Sequence, residues 1–355
     1  MRLHIKRTGL LTLASGLIVI LLFGGHALSQ TPYYEGKTIK ILRGGQPGGT
    51  GDMQARALIP YLKKYIPGNP TIVVENMPGA AGRKAANHIF LNTKPDGLTI
   101  GAVGAGLVVG PILGLAGTKY DLDKLIYLGS TERGDPYLFV TRKEAGWDSL
   151  EKLQAASGVR VGAQGIGHPI YVAGRIFSYL LGLKDPKFVV GYGGLELDIA
   201  FTKGEIDARA NGVDTILGRN HEMLEKGLLD VHATITIPRG KINPRFANVR
   251  ELGTFAKNDR ERQLLELFRT FLYPRWPYIL PPATPAEHVK TLRSAMARAF
   301  EDDGFKKEFK KVMANEPSPL TGEEVETVIR ELPHDPETVG LYKKMADQGP
   351  LPPRS

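Results

Sequence analysis

The feature that most constrains this chain is a unit that occurs twice: an apolar strand, a glycine-rich loop, and a helix that opens beside the loop. The first copy runs over 39–62 (IKILRGGQPGGTGDMQARALIPYL) and the second over 159–180 (VRVGAQGIGHPIYVAGRIFSYL). A helix that starts at a glycine loop presents backbone N–H groups with no intrahelical partner, and that end carries a partial positive charge that attracts anions. The copies begin 120 residues apart, so they predict two α/β units, each offering one jaw to an anionic ligand. Neither copy brings chemistry of its own, which points to binding before catalysis.

The chain opens on an export pattern. Arg2, Lys6 and Arg7 form a basic start, 9–25 is uncharged and mostly apolar, and Ala27-Leu28-Ser29 places small residues ahead of a cut before Gln30. Residues 1–29 therefore read as a signal peptide cleaved near Ser29, with the mature protein in the periplasm. A retained anchor is the alternative, since 17 uncharged residues border on a spanning length. The chain has no cysteine, which excludes a lipoprotein thiol, a disulfide framework and thiolate metal sites. Removing 1–29 lowers the net charge from +9 to +6, and that excess is spread along the chain with no basic block to track a phosphate backbone. Nucleic acid is excluded as a partner on that ground.

Along the mature chain, strand-like and helix-like segments alternate. An apolar strand over 38–42 precedes a helix whose face is marked by Ala55, Leu58, Ile59 and Leu62, with Asp52 as its N-cap and Pro60 expected to bend or end it. A strand over 71–75, a tight loop over 76–82, a helix over 83–91 and a strand over 98–103 follow. The rhythm restarts with a helix over 147–156 and the second repeat, whose helix carries Ala173, Ile176, Phe177 and Leu180 on one face. Strands over 188–190, 205–210 and 231–237, a helix over 195–203, and helices over 251–271 and 284–314 complete the pattern. Strands alternating with helices imply parallel sheets, with the ligand crevice at the carboxyl ends of the strands.

These residues carry a resemblance to the extracytoplasmic solute receptors of tripartite tricarboxylate transporters, also called Bug receptors. In order, the motifs are Pro47-Gly48-Gly49-Thr50-Gly51-Asp52; Val73-Val74-Glu75-Asn76-Met77-Pro78-Gly79-Ala80; Pro95-Asp96-Gly97; Gly165-Ile166-Gly167-His168-Pro169; Tyr192-Gly193-Gly194; Gly204-Glu205-Ile206-Asp207; and Pro281-Pro282-Ala283-Thr284-Pro285. The resemblance implies a periplasmic binding protein clamshell of two α/β lobes around a ligand cleft. Lobe 1 would hold 30–138 and, after a return crossing, 236–348 with the C-terminal helices. Lobe 2 would hold 139–235, and 349–355 would be a frayed tail. It further implies a monomer that takes a small organic carboxylate on loop N–H groups, hydroxyls and water, without cofactor or metal, and delivers it to membrane permease subunits. A receptor that reports the bound ligand to a membrane signalling protein is the alternative, and an exported hydrolase a weaker one.

The expected ligand-binding residues are Gln46, Pro47, Gly48, Gly49, Thr50 and Asp52 in the first loop, and Gly104 and Ala105 after the strand over 98–103. In the second unit they are Gly165, Ile166, Gly167 and His168, then Tyr192, Gly193 and Gly194, then Arg209 and Asn211. Several readings stay open at this level. His168 is a ligand contact or a helix cap, and Arg209 is a clamp for a second carboxylate or one half of an ion pair with Asp207 or another acid. Arg43 reaches the pocket or ends a solvated strand. The 78–82 loop is expected to support the first loop rather than touch ligand. Arg209 and Asn211 stand where relatives are often apolar and acidic, which favours a di-, tri- or aromatic carboxylate over an amino acid.

Enzyme signatures are missing. The 44–52 loop lacks the Gly-Lys-Ser/Thr ending of a nucleotide phosphate loop, and Gly104-Ala105-Gly106 lacks the third glycine of a dinucleotide fingerprint, Val109 standing in its place. There is no Gly-x-Ser-x-Gly elbow and no His-Glu-x-x-His helix. No catalytic residue is expected.

Overall fold

The computed structural model describes residues 31–104, 106–238, 240, 242–332 and 335–354; the export segment and Ala105 lie outside them. The strands form two mixed sheets. The first, in the order β11-β4-β10-β3-β1-β2, contains β1 (Thr38–Arg43), β2 (Thr71–Asn76), β3 (Thr99–Ala102), β4 (Ile126–Ser130), β10 (Pro277–Leu280) and β11 (Leu320–Thr321). The second, β7-β6-β8-β5-β9, contains β5 (Tyr137–Arg142), β6 (Arg160–Gly162), β7 (Lys187–Val189), β8 (Ala208–Gly212) and β9 (Leu229–Ile235).

The helices are α1 (Thr50–Tyr65), α2 (Arg83–Asn92), α3 (Gly106–Leu113), α4 (Leu150–Ala155), α5 (Pro169–Leu181), α6 (Gly194–Lys203), α7 (Val213–Leu217), α8 (His221–Glu225), α9 (Asp259–Phe271), α10 (Ala286–Glu301), α11 (Asp303–Met313), α12 (Gly322–Arg330) and α13 (Pro336–Ala346). No helix among the described residues is long and apolar enough to cross a membrane.

Parallel pairing holds where a helix joins the strands: β1 with β2 and β3, and β6 with β7 and β8. It fails at β10, antiparallel to β3 and β4, and at β5, antiparallel to β8 and β9. Those two strands enter their sheet directly from the other one, so no crossover helix imposes the parallel sense. The crossing segments pair with each other, through a bridge between Arg133 and Pro274 and through the Arg275 N–H donating to the Glu132 carbonyl at 3.3 Å.

Several boundaries differ from the sequence reading. The helix expected over 251–271 starts only at Asp259, where the Asn258 side chain caps it, and the strand expected over 205–210 lies at Ala208–Gly212. Pro60 does not end α1, which runs on to Tyr65. The helix expected over 284–314 is two, because the Asp302 carboxylate accepts the Gly304 N–H at 2.8 Å and caps α11. The segment 236–348, expected to return whole to the first lobe, divides: β10 to α12 rejoin the first sheet, whereas α9 and α13 pack on each other and on α5 beside the second.

The tail expected to fray is pinned. Arg354 donates to Glu261 at 2.8 Å and to the Leu180 and Phe255 carbonyls, both at 2.6 Å. Arg175, buried in α5, holds the Lys344 and Gly349 carbonyls at 3.1 and 2.8 Å. Carbonyls and guanidinium groups, with Leu351 packed against the core, fix this segment, which is why polarity alone misleads about it.

Candidate functional site

The two repeated units face each other across one cavity of about 370 Å³, within the range of small-molecule sites. In the first unit β1 leads into the glycine loop and α1 starts at Thr50, with Gly49 extended at its N-cap (φ −71°, ψ 160°) and no side-chain cap. In the second, α5 starts at Pro169 and the His168 Nδ1 accepts the Ile170 N–H at 3.2 Å. That bond leaves Nε2 to carry the proton and donate. Burial, reinforced by nearby Arg43, pushes the His168 pKa down to about 3, so the ring is neutral at physiological pH. A third loop ends at Gly193, whose N–H donates to Glu196 at 2.6 Å as α6 begins.

The jaws touch. The Thr50 and Thr215 hydroxyls are 2.8 Å apart, and Arg219 donates to the Thr50 hydroxyl at 3.2 Å. Gly48 lies so close to Leu195 that an added Cβ would meet its side chain at 2.8 Å. This is a closed cleft.

Of the residues expected to bind, Gln46, Gly49, Thr50, Gly104, Gly165, Ile166, His168, Tyr192, Gly193, Gly194 and Asn211 line the cavity. Pro47, Gly48, Asp52, Gly167 and Arg209 stand outside its lining, and Ala105 lies outside the described residues. Asp52 is neither cap nor wall. Its oxygens accept from the Gly48 N–H (3.0 Å), Arg56 (2.9 Å) and Asn76 (3.1 Å), so it holds the loop from within the first turn of α1. Arg209 is one half of an ion pair with Asp198 of α6 at 2.6 Å, not with Asp207, which takes Arg160 and Arg142. Asp198 also receives Arg219 at 3.0 Å. Burial raises the Asp198 pKa, but the two guanidinium groups outweigh it and hold the carboxyl below its usual range. The 78–82 loop, expected to stand back, lines the cavity.

Sequence reasoning missed Tyr137, Thr215, Arg219, Arg275 and Trp276, all on the wall. They sit at the crossings between sheets or just after β8, where no glycine motif marks the chain. A paired aromatic and arginine at 275–276 after a proline was the one available signal. Behind the wall, Arg275 meets Asp135 at 2.5 Å and Asp214 at 2.9 Å, while Glu132 accepts from Gln54 (2.9 Å) and from the Trp276 indole (3.1 Å). Burial, then Glu132, pushes the Asp214 pKa up to about 8. This cluster ties both crossing segments to α1 and α7. Among the described residues, no group of acids and histidines could hold a metal ion.

Comparison with known proteins gives the fold. No protein-family model matches the chain, and no curated protein does. Among solved structures it is similar to MatC from Rhodopseudomonas palustris with bound malate, at 17% identity over 88% of this chain and 99% of that one, TM-score 0.66. It is similar to the periplasmic binding protein BugD at 18% identity over 88% and 98%, TM-score 0.70. A further match is an R. palustris protein with adipate, at 16% identity over 86% and 97%, TM-score 0.67. The fold is therefore that of the periplasmic binding proteins, two α/β lobes with a ligand cleft between them.

Proposed function

We propose that this chain is an extracytoplasmic solute-binding protein of the tripartite tricarboxylate transporter type. It captures a small organic carboxylate, di-, tri- or aromatic, and presents it to membrane permease subunits without changing it chemically. One observation carries the reading: among the described residues the cavity wall holds three arginines, Arg43, Arg219 and Arg275, three glycine loops that lead into helix N-termini, and no acidic side chain. Such a wall favours an anion and offers nothing to an ammonium group. The similar structures that carry malate and adipate support the same class of ligand. Lobes that close on the ligand give the permease a surface present only in the loaded state.

A thermal-shift screen of the mature protein tests this. Mono-, di-, tri- and aromatic carboxylates are compared with neutral sugars and cations. At least one carboxylate should raise the melting temperature, because a ligand held only by the native state adds about 2.7 kcal/mol at a hundredfold excess over Kd. A shift with a sugar or a cation and none with any carboxylate overturns the reading.

A further inference from the structure

Arg43 is the last residue of β1 and only 5% exposed. No acid lies within ion-pair distance of it among the described residues, whereas Arg219 and Arg275 on the same wall are both paired. One of its donors, Nη1, reaches the Ala102 carbonyl at 2.7 Å, and Nε is buried without a partner. The guanidinium lies 4.8 Å from the Trp276 ring centroid. It is pressed against the first turn of α1: a Cβ at Gly51 would stand 1.7 Å from Nη2 and 2.5 Å from the Trp276 ring. Glycine at 51 is what admits it.

This placement stacks two positive potentials. A guanidinium lies at the N-terminal end of a 16-residue helix that has no side-chain cap, where the macrodipole favours an anion and opposes a cation. Asp52 is near, but its oxygens are occupied by the Gly48 N–H, Arg56 and Asn76. Burial lowers the Arg43 pKa to about 10, so the charge persists at neutral pH. A buried, unneutralised cation at a helix N-terminus is costly in the empty protein and becomes favourable when an anion enters.

We propose that Arg43 is the direct ion-pair anchor of the ligand, receiving one carboxylate edge-on at the N-terminus of α1 while Trp276 backs the guanidinium. This rests on the carboxylate reading above and sharpens it. The anchored group is a full anion, and with no acid on the wall the ligand carries no ammonium, so amino acids are rejected in favour of di-acids and aromatic acids.

The test compares wild type, Arg43→Met and Arg43→Lys by calorimetry and melting temperature. Probes are malate, adipate, benzoate, their primary-amide counterparts, and a parallel set of sulfonates and phosphate monoesters. Wild type should prefer the acid over its amide by roughly tenfold or more, and Arg43→Met should erase that preference. Arg43→Lys, which keeps the charge and loses the planar fork, should restore part of it. Empty Arg43→Met should melt at or above wild type, because an unpaired buried cation has been removed.

Equal weakening of acid and amide, or a lower melting temperature of empty Arg43→Met with the preference intact, overturns the proposal and makes Arg43 structural. If only sulfonates or phosphate esters bind wild type and Arg43→Met loses them, the anchor stands and the carboxylate reading falls. If only neutral probes bind, both fall.

Discussion

Arg43 and Arg175 are both buried, both belong to one of the two repeated units, and neither has a carboxylate within ion-pair distance among the described residues. They are held in opposite ways. Arg175 donates to the Tyr171 hydroxyl (3.4 Å) and to the Lys344 (3.1 Å) and Gly349 (2.8 Å) carbonyls, and its guanidinium stands 4.8 Å from the Phe188 ring. Arg43 has one carbonyl, a tryptophan face and an open cavity. Each leaves its Nε buried without a partner. Arg175 spreads its remaining donors over three acceptors and is a structural rivet, whereas Arg43 has one carbonyl and leaves more of its charge for something else to meet. The second jaw is thus tied to the C-terminal segment. The first is electrostatically unfinished.

The largest effect that sharpens this contrast is expected at the rivet. Arg175→Met removes the donor to the Lys344 and Gly349 carbonyls and a fully buried side chain, and the loss should be about 2–4 kcal/mol of stability, seen as a lower melting temperature and denaturant midpoint. Carboxylate affinity should stay within about threefold, since Arg175 does not line the cavity. A variant of unchanged stability with lost binding would erase the distinction between the two arginines.

How much of this was legible follows from which residues carry local signals. The repeated units, their loops and most of their helical faces were readable because glycine, apolar spacing and caps act over a few residues. His168, one residue before Pro169 at a helix start, was left open between cap and ligand contact, and it both caps the Ile170 N–H and lines the cavity. The crossings were not readable: Tyr137, Arg275 and Trp276 matter because two distant segments pair, and no short-range pattern encodes that. Arg209 misled for a related reason. Its strand position was visible, but its partner Asp198 is on the preceding helix, and the alternation of β8 alone does not say which of two acids the fold brings to it. The helices α12 and α13 were missed although Thr321 with Glu324 and Asp335 with Pro336 spell out their starts.

The next contrast is with pH. His168 in the second jaw and His232 on β9 have pKa values pushed down by burial to about 3 and about 4, whereas the unfolded chain protonates histidine near 6.5. Between those values the unfolded state binds more protons than the folded one, so stability is full above about pH 6.5 and falls as the pH drops. The slope is up to about 1.4 kcal/mol per pH unit for each histidine. In the first jaw, Asp52 is held below its usual range: burial raises it, and Arg56, the Gly48 N–H and Asn76 lower it further. Its contribution therefore persists until the pH falls below the ordinary aspartate value of about 4. Asp214 in α7 works the other way, since burial raises its pKa and its protonation between pH 7 and 5 favours the folded state. The histidine effect is therefore read locally, as amide exchange rising in α5 and β9 before α1. His168→Gln should reduce the slope. Equal loosening of both lobes, or an unchanged slope, would break the contrast.

The smallest expected effect lies where the jaws meet. Thr50→Val keeps the shape of the side chain and removes the 2.8 Å contact with Thr215 and the acceptor for Arg219. These bonds exist only with the cleft closed, so the change should disfavour closure by about 1 kcal/mol and weaken the apparent affinity about fivefold. The melting temperature of the empty protein should hardly move. Because Thr50 also lines the cavity, a loss of affinity could arise from closure or from a lost ligand contact, and Thr215→Val separates the two. If the hydroxyls act on each other, the double variant should bind about as well as Thr50→Val alone, a non-additive cycle. If Thr50 instead holds the ligand, the two losses should add, and the first jaw would meet its carboxylate with a hydroxyl as well as with Arg43.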